Sequence, residues 1–257
     1  YLTDRGTLKV MNLLRVDKSD VVPVLSAVLN VLRARVILDK GIDYIVKEGA
    51  IHVIDRNNGR YKENSHYESG IMTALELKER VDVTGTPKDS ESINGLYLVS
   101  HFKHIVGCSG TAYECRVLFS EVLNTPTVKV RRNFPSRLQL NNTVITSNRR
   151  DKFERAKDLT VDLVNKGLPV LIVAENDIEC ELFHGYLSNY IKGVMRLSNS
   201  DLEYETTIVS KSGLPSAVTV STLISGRGTD IKVSKEVQMK GGLQVVLLSR
   251  LASRRAE

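Results

Sequence analysis

Residues 217–230 have the sequence AVTVSTLISGRGTD, in which a β-branched apolar run leads into a short glycine-containing loop. The run at 217–222 predicts a strand, and the loop at 225–230 follows its carboxyl end. In open sheets of parallel strands, ligands bind beyond the carboxyl ends of the strands. The loop therefore marks the position of the candidate binding site in the predicted fold.

Four residues of this loop suit a nucleotide. Gly226 and Gly228 lack a Cβ, so backbone N–H groups can approach a phosphate closely. Arg227 carries a permanent charge in a planar fork that matches phosphate oxygens. Asp230 can accept hydrogen bonds from ribose hydroxyls or orient Arg227. We therefore predict nucleotide binding here. The alternative is a glycine turn with a surface ion pair.

Strands and helices alternate around this loop. The clearest strand-helix unit consists of a short apolar strand at 169–174 and the helix that follows it, capped at Asn176 or Asp177. Two helices show an apolar stripe, formed by Phe153, Ala156, Leu159 and Leu163 in one and by Ile178, Leu182, Tyr186 and Leu187 in the other. The predicted helices are 93–106, 149–166, the one after Asn176, and 202–212, and the predicted strands are 127–130, 143–146, 169–174, 193–197, 217–222 and 243–249. This order predicts an α/β fold with a mostly parallel sheet.

The first 90 residues follow a different pattern. Helical spacing of apolar residues predicts helices at 23–36 and 70–80. Between them, two β-prone runs in 43–55 meet at Glu48 and Gly49, which predicts a hairpin. A turn is predicted at 57–59. A small α+β module therefore precedes the sheet.

Bulk composition indicates an ordinary globular protein of 257 residues, 42% hydrophobic and 26% charged. The net charge of +6 suits an acidic partner, although it also serves solubility alone. Cys108, Cys115 and Cys180 lack metal-ligand spacing and are expected to be reduced thiols. No segment resembles a signal peptide or a membrane span. Because the chain begins at Tyr1 and stops at Glu257, we expect it to be a piece of a longer protein.

A second small-residue loop, GCSGTA at 107–112, is a weaker candidate. The hydroxyls of Ser109 and Thr111 can contact a phosphate or couple a neighbouring domain, but a structural turn is favoured. His101 and His104 have half the spacing of a helical metal site, and nothing completes it, so a solvated helix face is favoured. Arginine doublets lack the interleaved aromatic residues of a nucleic-acid platform.

The sequence contains no GxxxxGK[ST] motif. That motif supplies the lysine and the Mg²⁺-holding hydroxyl that phosphoryl transfer requires. We therefore expect that this chain does not hydrolyse ATP by itself, and we assign it neither a catalytic residue nor a metal ligand.

Segments along nearly the whole chain resemble, in order and spacing, the SecA preprotein translocase ATPase family. They are YLTDRG at 1–6, LRA at 32–34, DYIVKEG at 43–49, GR at 59–60, the helix at 70–81, GCSGTA at 107–112, VTVSTLISGRGTDI at 218–231 and GGL at 241–243. So many matching segments in one order make chance similarity an inadequate explanation.

The resemblance implies a layout and a function. Residues 1–90 would be the C-terminal part of the preprotein cross-linking domain, and residues 91–257 the second, RecA-like (helicase-type) nucleotide-binding domain. The phosphate loop would lie upstream, and the arginine-finger motif would follow Arg255. The chain would belong to a motor that couples ATP binding and hydrolysis to moving preproteins through the SecYEG channel.

The same resemblance implies residue roles and partners. Gly226, Arg227, Gly228 and Asp230 would face the nucleotide, and Ser109, Gly110 and Thr111 would couple domains. ATP would be the cofactor, with Mg²⁺ held mainly by the first domain. Partners would be preproteins, SecYEG, the anionic membrane surface and a second copy, and not nucleic acid. The protein would be cytoplasmic and peripheral to the inner face of the membrane.

Departures from the family pattern favour a divergent or accessory form. GCSGTA replaces GMTGTA, Tyr67 replaces a tryptophan, and LLSR at 247–250 replaces GTER. The stretch between Asp230 and Gly241 is also short. Two alternatives stay open from the sequence: half of an RNA helicase, which the basic charge would suit, and a non-catalytic preprotein-binding module.

Overall fold

The computed structural model describes residues 2–15, 20–55, 59–62, 65–85, 93–226 and 229–250. Contacts within the chain divide it into two compact units. One unit combines Tyr1–Thr86 with Thr146–Ala252, and the other is formed mainly by Pro87–Ile145. Among the described residues, no helix is long and apolar enough to cross a bilayer.

The N-terminal part of the first unit is an antiparallel sheet packed against helices. Its elements are α1 (Asp4–Leu14), α2 (Val21–Val36), β1 (Tyr44–Lys47), β2 (Ala50–Ile54), β3 (Tyr61–Lys62) and α3 (Ile71–Glu79), with strand order β1-β2-β3. Glu48 and Gly49 join β1 to β2 with positive φ angles of 52° and 76°, which a two-residue hairpin turn requires. The predicted hairpin and the two predicted helices are confirmed.

The core of this module lies between the sheet and α2 and α3. Tyr44 from β1, Ala34 from α2 and Leu75 from α3 are fully buried and pack together. Burial of such side chains stabilises the fold by about 25 cal/mol per Å² of apolar surface. Of the turn predicted at 57–59, residues 57 and 58 lie outside the described residues.

The second unit contains little regular structure. Its helices are α4 (Gly95–Ser100) and α5 (Arg116–Leu123), with a 3-10 turn at Ala112–Cys115. The prediction of a helix over 93–106 is wrong beyond residue 100. There the Ser100 hydroxyl donates to the carbonyl of Tyr97 at 2.7 Å, and the His101 ring lies 2.8 Å from the same oxygen. Side chains that bond local carbonyls in this way compete with helix continuation.

The strands predicted at 127–130 and 143–146 are also wrong. Both segments are irregular, and Val128, Val130 and Ile145 expose 82%, 85% and 92% of their surface. β-branched residues favour an extended backbone, but a strand forms only when a neighbouring strand pairs with its N–H and C=O groups. In the part of the chain that the structure describes, neither segment is paired in a sheet.

The rest of the first unit is a four-stranded parallel sheet with helices between its strands. Its elements are α6 (Arg149–Asn165), β4 (Val170–Val173), α7 (Asp177–Ser188), β5 (Met195–Leu197), a 3-10 helix (Asn199–Tyr204), α8 (Glu205–Ser212), β6 (Val218–Ser221), a 3-10 turn (Leu223–Gly226), α9 (Lys235–Lys240) and β7 (Gln244–Leu247). The strand order is β5-β6-β4-β7, and every pairing is parallel. The predicted α/β class is therefore confirmed.

Two helix faces differ from the predicted stripes. In α6, Thr160 is fully buried while Leu159 exposes 47% of its surface. Thr160 can be buried because its hydroxyl donates to the carbonyl of Ala156 at 2.7 Å. In α7, Cys180 and Phe183 face the core.

Half of the stripe predicted for α7 is confirmed, since Leu187 is buried in the core and Tyr186 packs against it. Ile178 and Leu182 are exposed at 44% and 45%, whereas the predicted Leu187 is buried. Asn176 caps this helix, because its side chain accepts a hydrogen bond from the backbone of Glu179 at 2.9 Å.

Candidate functional site

The candidate loop lies at the carboxyl edge of the parallel sheet, as the sequence predicts. β6 ends at Ser221, and the 3-10 turn Leu223–Gly226 follows after one residue. Of the four predicted nucleotide ligands, Gly226 and Asp230 are described and both are exposed. Arg227 and Gly228 lie outside the described residues. A Cβ built on Gly226 would meet nothing within 4 Å, so the backbone there is open to a ligand.

The base of the loop is fixed by its own hydroxyl groups. Ser225 is buried, and its hydroxyl donates to the carbonyl of Thr222 at 3.3 Å. The Thr229 hydroxyl donates to the carbonyl of Ile224 at 3.4 Å, and three of the four predicted ligands lie between these two residues in the sequence. This bond closes the base of the loop; Gly226 lies within the closed segment, Asp230 directly follows it, and both are exposed.

The chain that leaves the loop packs against the end of α8. A Cβ built on Gly213 would lie 2.0 Å from the carbonyl oxygen of Lys232 and 3.3 Å from a methyl of Ile231. Only a glycine allows the two backbones to approach this closely. Gly213 therefore fixes the outgoing side of the loop.

The chain that enters the loop packs against the N-terminal module. A Cβ built on Gly59 would lie 3.3 Å from the Cβ of Leu223, the first residue of the 3-10 turn. Gly59 has a φ of 71°, a left-handed conformation that other residues adopt at a cost. Gly59 is followed by Arg60, whose guanidinium forms an ion pair with Glu205 at the start of α8, with one N–O distance of 3.0 Å.

Asn199 joins the same region from the end of β5. Its side-chain amide donates to the carbonyl of Gly59 at 2.7 Å and to Asp177 at 2.9 Å, and it accepts from the backbone N–H of Tyr61 at 2.9 Å. Asp177 begins α7, directly after β4. The edge of the sheet and the loop at 59–61 are therefore connected through one buried amide.

Buried polar atoms also mark this edge. Within the described residues, the hydroxyl oxygen of Thr222 and one carboxylate oxygen of Asp177 are buried without a hydrogen-bond partner. Burial raises the pKa of Asp177, and the hydrogen bonds from Asn199 offset only part of that rise. At the loop itself, the exposed glycine backbone of Gly226 and the exposed carboxylate of Asp230 fit the polar groups of a nucleotide.

The second predicted loop belongs to the other compact unit. Ser109 and Gly110 are exposed, and Thr111 is half-buried. The Ser109 hydroxyl accepts from the backbone N–H of Thr111 at 3.2 Å, which is the bonding of a local turn. Their proposed role in coupling domains stays a prediction.

The histidine pair and the buried cysteine show no sign of a binding or catalytic role. His101 caps α4, and His104 lies beyond the helix, so the two do not share a helix face. Cys180 is buried in the sheet core, and burial raises the pKa of its thiol to about 12. A thiol with so high a pKa is a poor nucleophile at neutral pH. In the described part of the chain, no three potential metal ligands cluster.

Two domains of one protein family match the chain, and each match contains elements of the first unit. The SecA preprotein cross-linking domain matches residues 1–76, which contain the antiparallel module. The SecA P-loop domain matches residues 136–245, which contain the parallel sheet and the candidate loop. The chain belongs to the SecA family.

The chain is also similar over its whole length to individual SecA proteins. The protein translocase subunit SecA of Aliarcobacter butzleri is 30% identical over 261 residues, covering 100% of this chain and 30% of that protein. The subunit from Clostridium botulinum strain Hall is also 30% identical, with 31% of its length covered. The subunit from Helicobacter hepaticus is 27% identical over 264 residues. The chain thus spans about 30% of the length of these SecA relatives.

The sequence missed several residues of this site. No recognisable sequence motif contains the residues that position the site, and their contact partners are distant in the sequence. These residues are Asn199, Asp177, Glu205 and Gly213. A signal existed only for the loop at 59–60, where GR resembles a SecA segment. The predicted boundary between residues 90 and 91 stays a prediction.

Proposed function

We propose that this chain is part of an ATP-driven motor that moves preproteins through the SecYEG channel. One observation carries the proposal. The module that matches the SecA preprotein cross-linking domain is hydrogen-bonded, through Gly59 and Tyr61, to the sheet edge that bears the candidate nucleotide loop. A ligand at the loop and a polypeptide on the module would therefore act on adjoining parts of one compact unit.

In this proposal the loop forms one wall of a nucleotide site. Gly226, Arg227 and Gly228 would contact phosphates, and Asp230 would orient the arginine or hold the ribose. The other wall, with the phosphate loop and Mg²⁺, would come from another domain of the full-length protein. Opposed walls allow the nucleotide to draw two domains together, and hydrolysis to release them.

The partners follow from the same reading of the chain. A preprotein would bind the first domain, at residues 1–90, and ATP the second, at 91–257, while Ser109, Gly110 and Thr111 would couple domains. The net charge of +6 favours the anionic face of a membrane, where the protein would act peripherally from the cytoplasm. A second copy of the full-length protein is a further proposed partner.

Replacement of Asp230 tests the site. We expect Asp230→Ala in the full-length protein to lower preprotein-stimulated ATP hydrolysis about tenfold or more, since one positioned charge is worth about 1.4 kcal/mol or more. Asp162→Ala is the matched control, because Asp162 is an exposed carboxylate on α6. Phosphate release measures both.

Two results would refute the proposal. Equal rates of ATP hydrolysis by the two variants would show that Asp230 is not part of the nucleotide site. ATP hydrolysis that responds to single-stranded RNA and not to preprotein, with a steep salt dependence of RNA binding, would indicate a helicase instead.

A further inference from the structure

Asn199 occupies an unusual position for a polar side chain. It begins the 3-10 helix after β5, and only 2% of its surface is exposed. A buried amide is costly unless its hydrogen bonds are made. The contacts that compensate for this burial are therefore informative about what the residue does.

Two of those contacts reach into the N-terminal module. The Asn199 amide donates to the carbonyl of Gly59 and accepts from the N–H of Tyr61, so it binds the backbone on both sides of Arg60. Such a pair of bonds fixes both the position and the orientation of the loop at 59–61. Neither partner is a side chain, so the contact does not depend on the identity of residue 61.

The third contact points to the sheet. The second N–H of the same amide group donates to Asp177, which begins α7 after the neighbouring strand β4. The loop held by Asn199 also touches the turn that leads into the nucleotide loop, through Gly59 and Leu223. A displacement at the ends of β4 and β6 would therefore reach the module through Asn199 and through this packing contact.

We propose that Asn199 is a positioning residue that couples nucleotide binding at the loop to polypeptide binding on the N-terminal module. The proposal rests on the function proposed above and names the residue that connects its two sites. Asn199 touches neither ligand in this account. It keeps the loop at 59–61 in register with the sheet edge, so that each ligand alters the affinity for the other.

The experiment compares two affinities in the full-length protein. Fluorescent mant-ADP is titrated with and without a purified preprotein held unfolded, and the ratio of the two dissociation constants is the coupling factor. We expect a factor of about 5 or more in the unsubstituted protein, in the usual range for coupled sites. In Asn199→Ala it should fall toward 1, with a small remainder carried by the Gly59–Leu223 packing contact, while each ligand alone still binds. Asn189→Ala, at an exposed asparagine after α7, is the control.

A paired substitution separates coupling from stability. Asn199→Asp with Asp177→Asn reverses the amide and carboxylate, so the bond between the two positions can re-form. The new carboxylate cannot donate to the carbonyl of Gly59. We expect the paired variant to recover thermal stability relative to Asn199→Asp alone but to stay uncoupled.

The outcomes are distinguishable. A normal coupling factor in Asn199→Ala, or full recovery of coupling in the paired variant, would overturn the role of Asn199 and leave the proposed function standing. An unsubstituted protein that binds either ligand with no effect on the other would overturn this inference alone. Failure of the unsubstituted protein to bind nucleotide or preprotein would overturn both.

Discussion

Asp201 belongs to the 3-10 helix Asn199–Tyr204, and Asp177 accepts a hydrogen bond from the first residue of that helix. The surroundings of these two carboxylates shift their pKa values in opposite directions. Burial dominates at Asp177 and raises its pKa. At Asp201 burial also opposes ionisation, but the hydrogen bonds from Arg196 and Ser198 outweigh it and lower the pKa. The difference follows from partners, since Arg196 binds Asp201 through two N–O contacts of 2.9 Å.

Asp201→Asn should destabilise the protein at neutral pH by about 1–3 kcal/mol, because it removes the charge-assisted pair with Arg196 and weakens the capping box. A lowered pKa means that ionised Asp201 stabilises the fold above its ordinary value of 3.8, and that this contribution is lost as the pH falls. The loss on substitution should therefore shrink below pH 4. Urea unfolding at neutral and acid pH, with Asp162→Asn as control, measures this. A loss independent of pH would contradict it.

Asp177→Asn should stabilise the protein at neutral pH, which is opposite to the effect expected for Asp201→Asn. A raised pKa means that the charged form is disfavoured in the folded protein, so its stability falls as the pH rises through that pKa. The amide removes the charge and still accepts from Asn199. We expect the variant to melt at a higher temperature than the unsubstituted protein at neutral pH, with the gain vanishing in acid. Lower stability at neutral pH would show that the carboxylate is stabilising there.

Among the elements, the end of α8 packs closely against the chain that follows the candidate loop. Gly213 has an ordinary φ of −94°, so its requirement for glycine comes from contact and not from backbone conformation. The 2.0 Å separation of a built Cβ from the Lys232 carbonyl leaves no room for a methyl group. Substitution must move the outgoing side of the loop.

Gly213→Ala should therefore cost about 1–3 kcal/mol through overpacking. Gly185→Ala is the control, since Gly185 lies exposed within α7 with nothing within 4 Å of a built Cβ. There alanine should stabilise the helix by about 0.5–1 kcal/mol. Thermal unfolding of the two variants decides the matter. Similar effects in both would mean that the close contact at Gly213 carries no energetic weight.

The local hydrophobic pattern predicts a strand correctly where the strand is buried on both faces. The continuous apolar runs at 169–174 and 217–222 became β4 and β6, whose residues are all buried. The β-prone runs at 127–130 and 143–146 did not become strands, because pairing depends on a distant partner that the runs do not specify. In α7 the predicted Tyr186 and Leu187 lie at the core, but the predicted stripe leaves out Cys180 and Phe183, although free cysteine is among the most buried residue types.

At the scale of the whole molecule, polar contacts between distant residues connect the two SecA-matched parts of the first unit. The bonds from Asn199 and Glu205 to the loop at 59–61 join residues 138 to 145 positions apart. Hydrophobic periodicity carries no information about such bonds. Of the candidate site, the sequence therefore predicted the loop with Gly226 and Asp230 but not the residues that hold it against the module.

If this chain is part of an ATP-driven motor, as proposed, the full-length protein should move preproteins through SecYEG. The most direct measurement is transport by the full-length protein into vesicles that contain SecYEG, scored as preprotein protected from added protease. We expect protection that requires ATP and that falls in Asp230→Ala but not in Asp162→Ala. Protection that does not depend on ATP, or its absence in the unsubstituted protein under these conditions, would contradict the account.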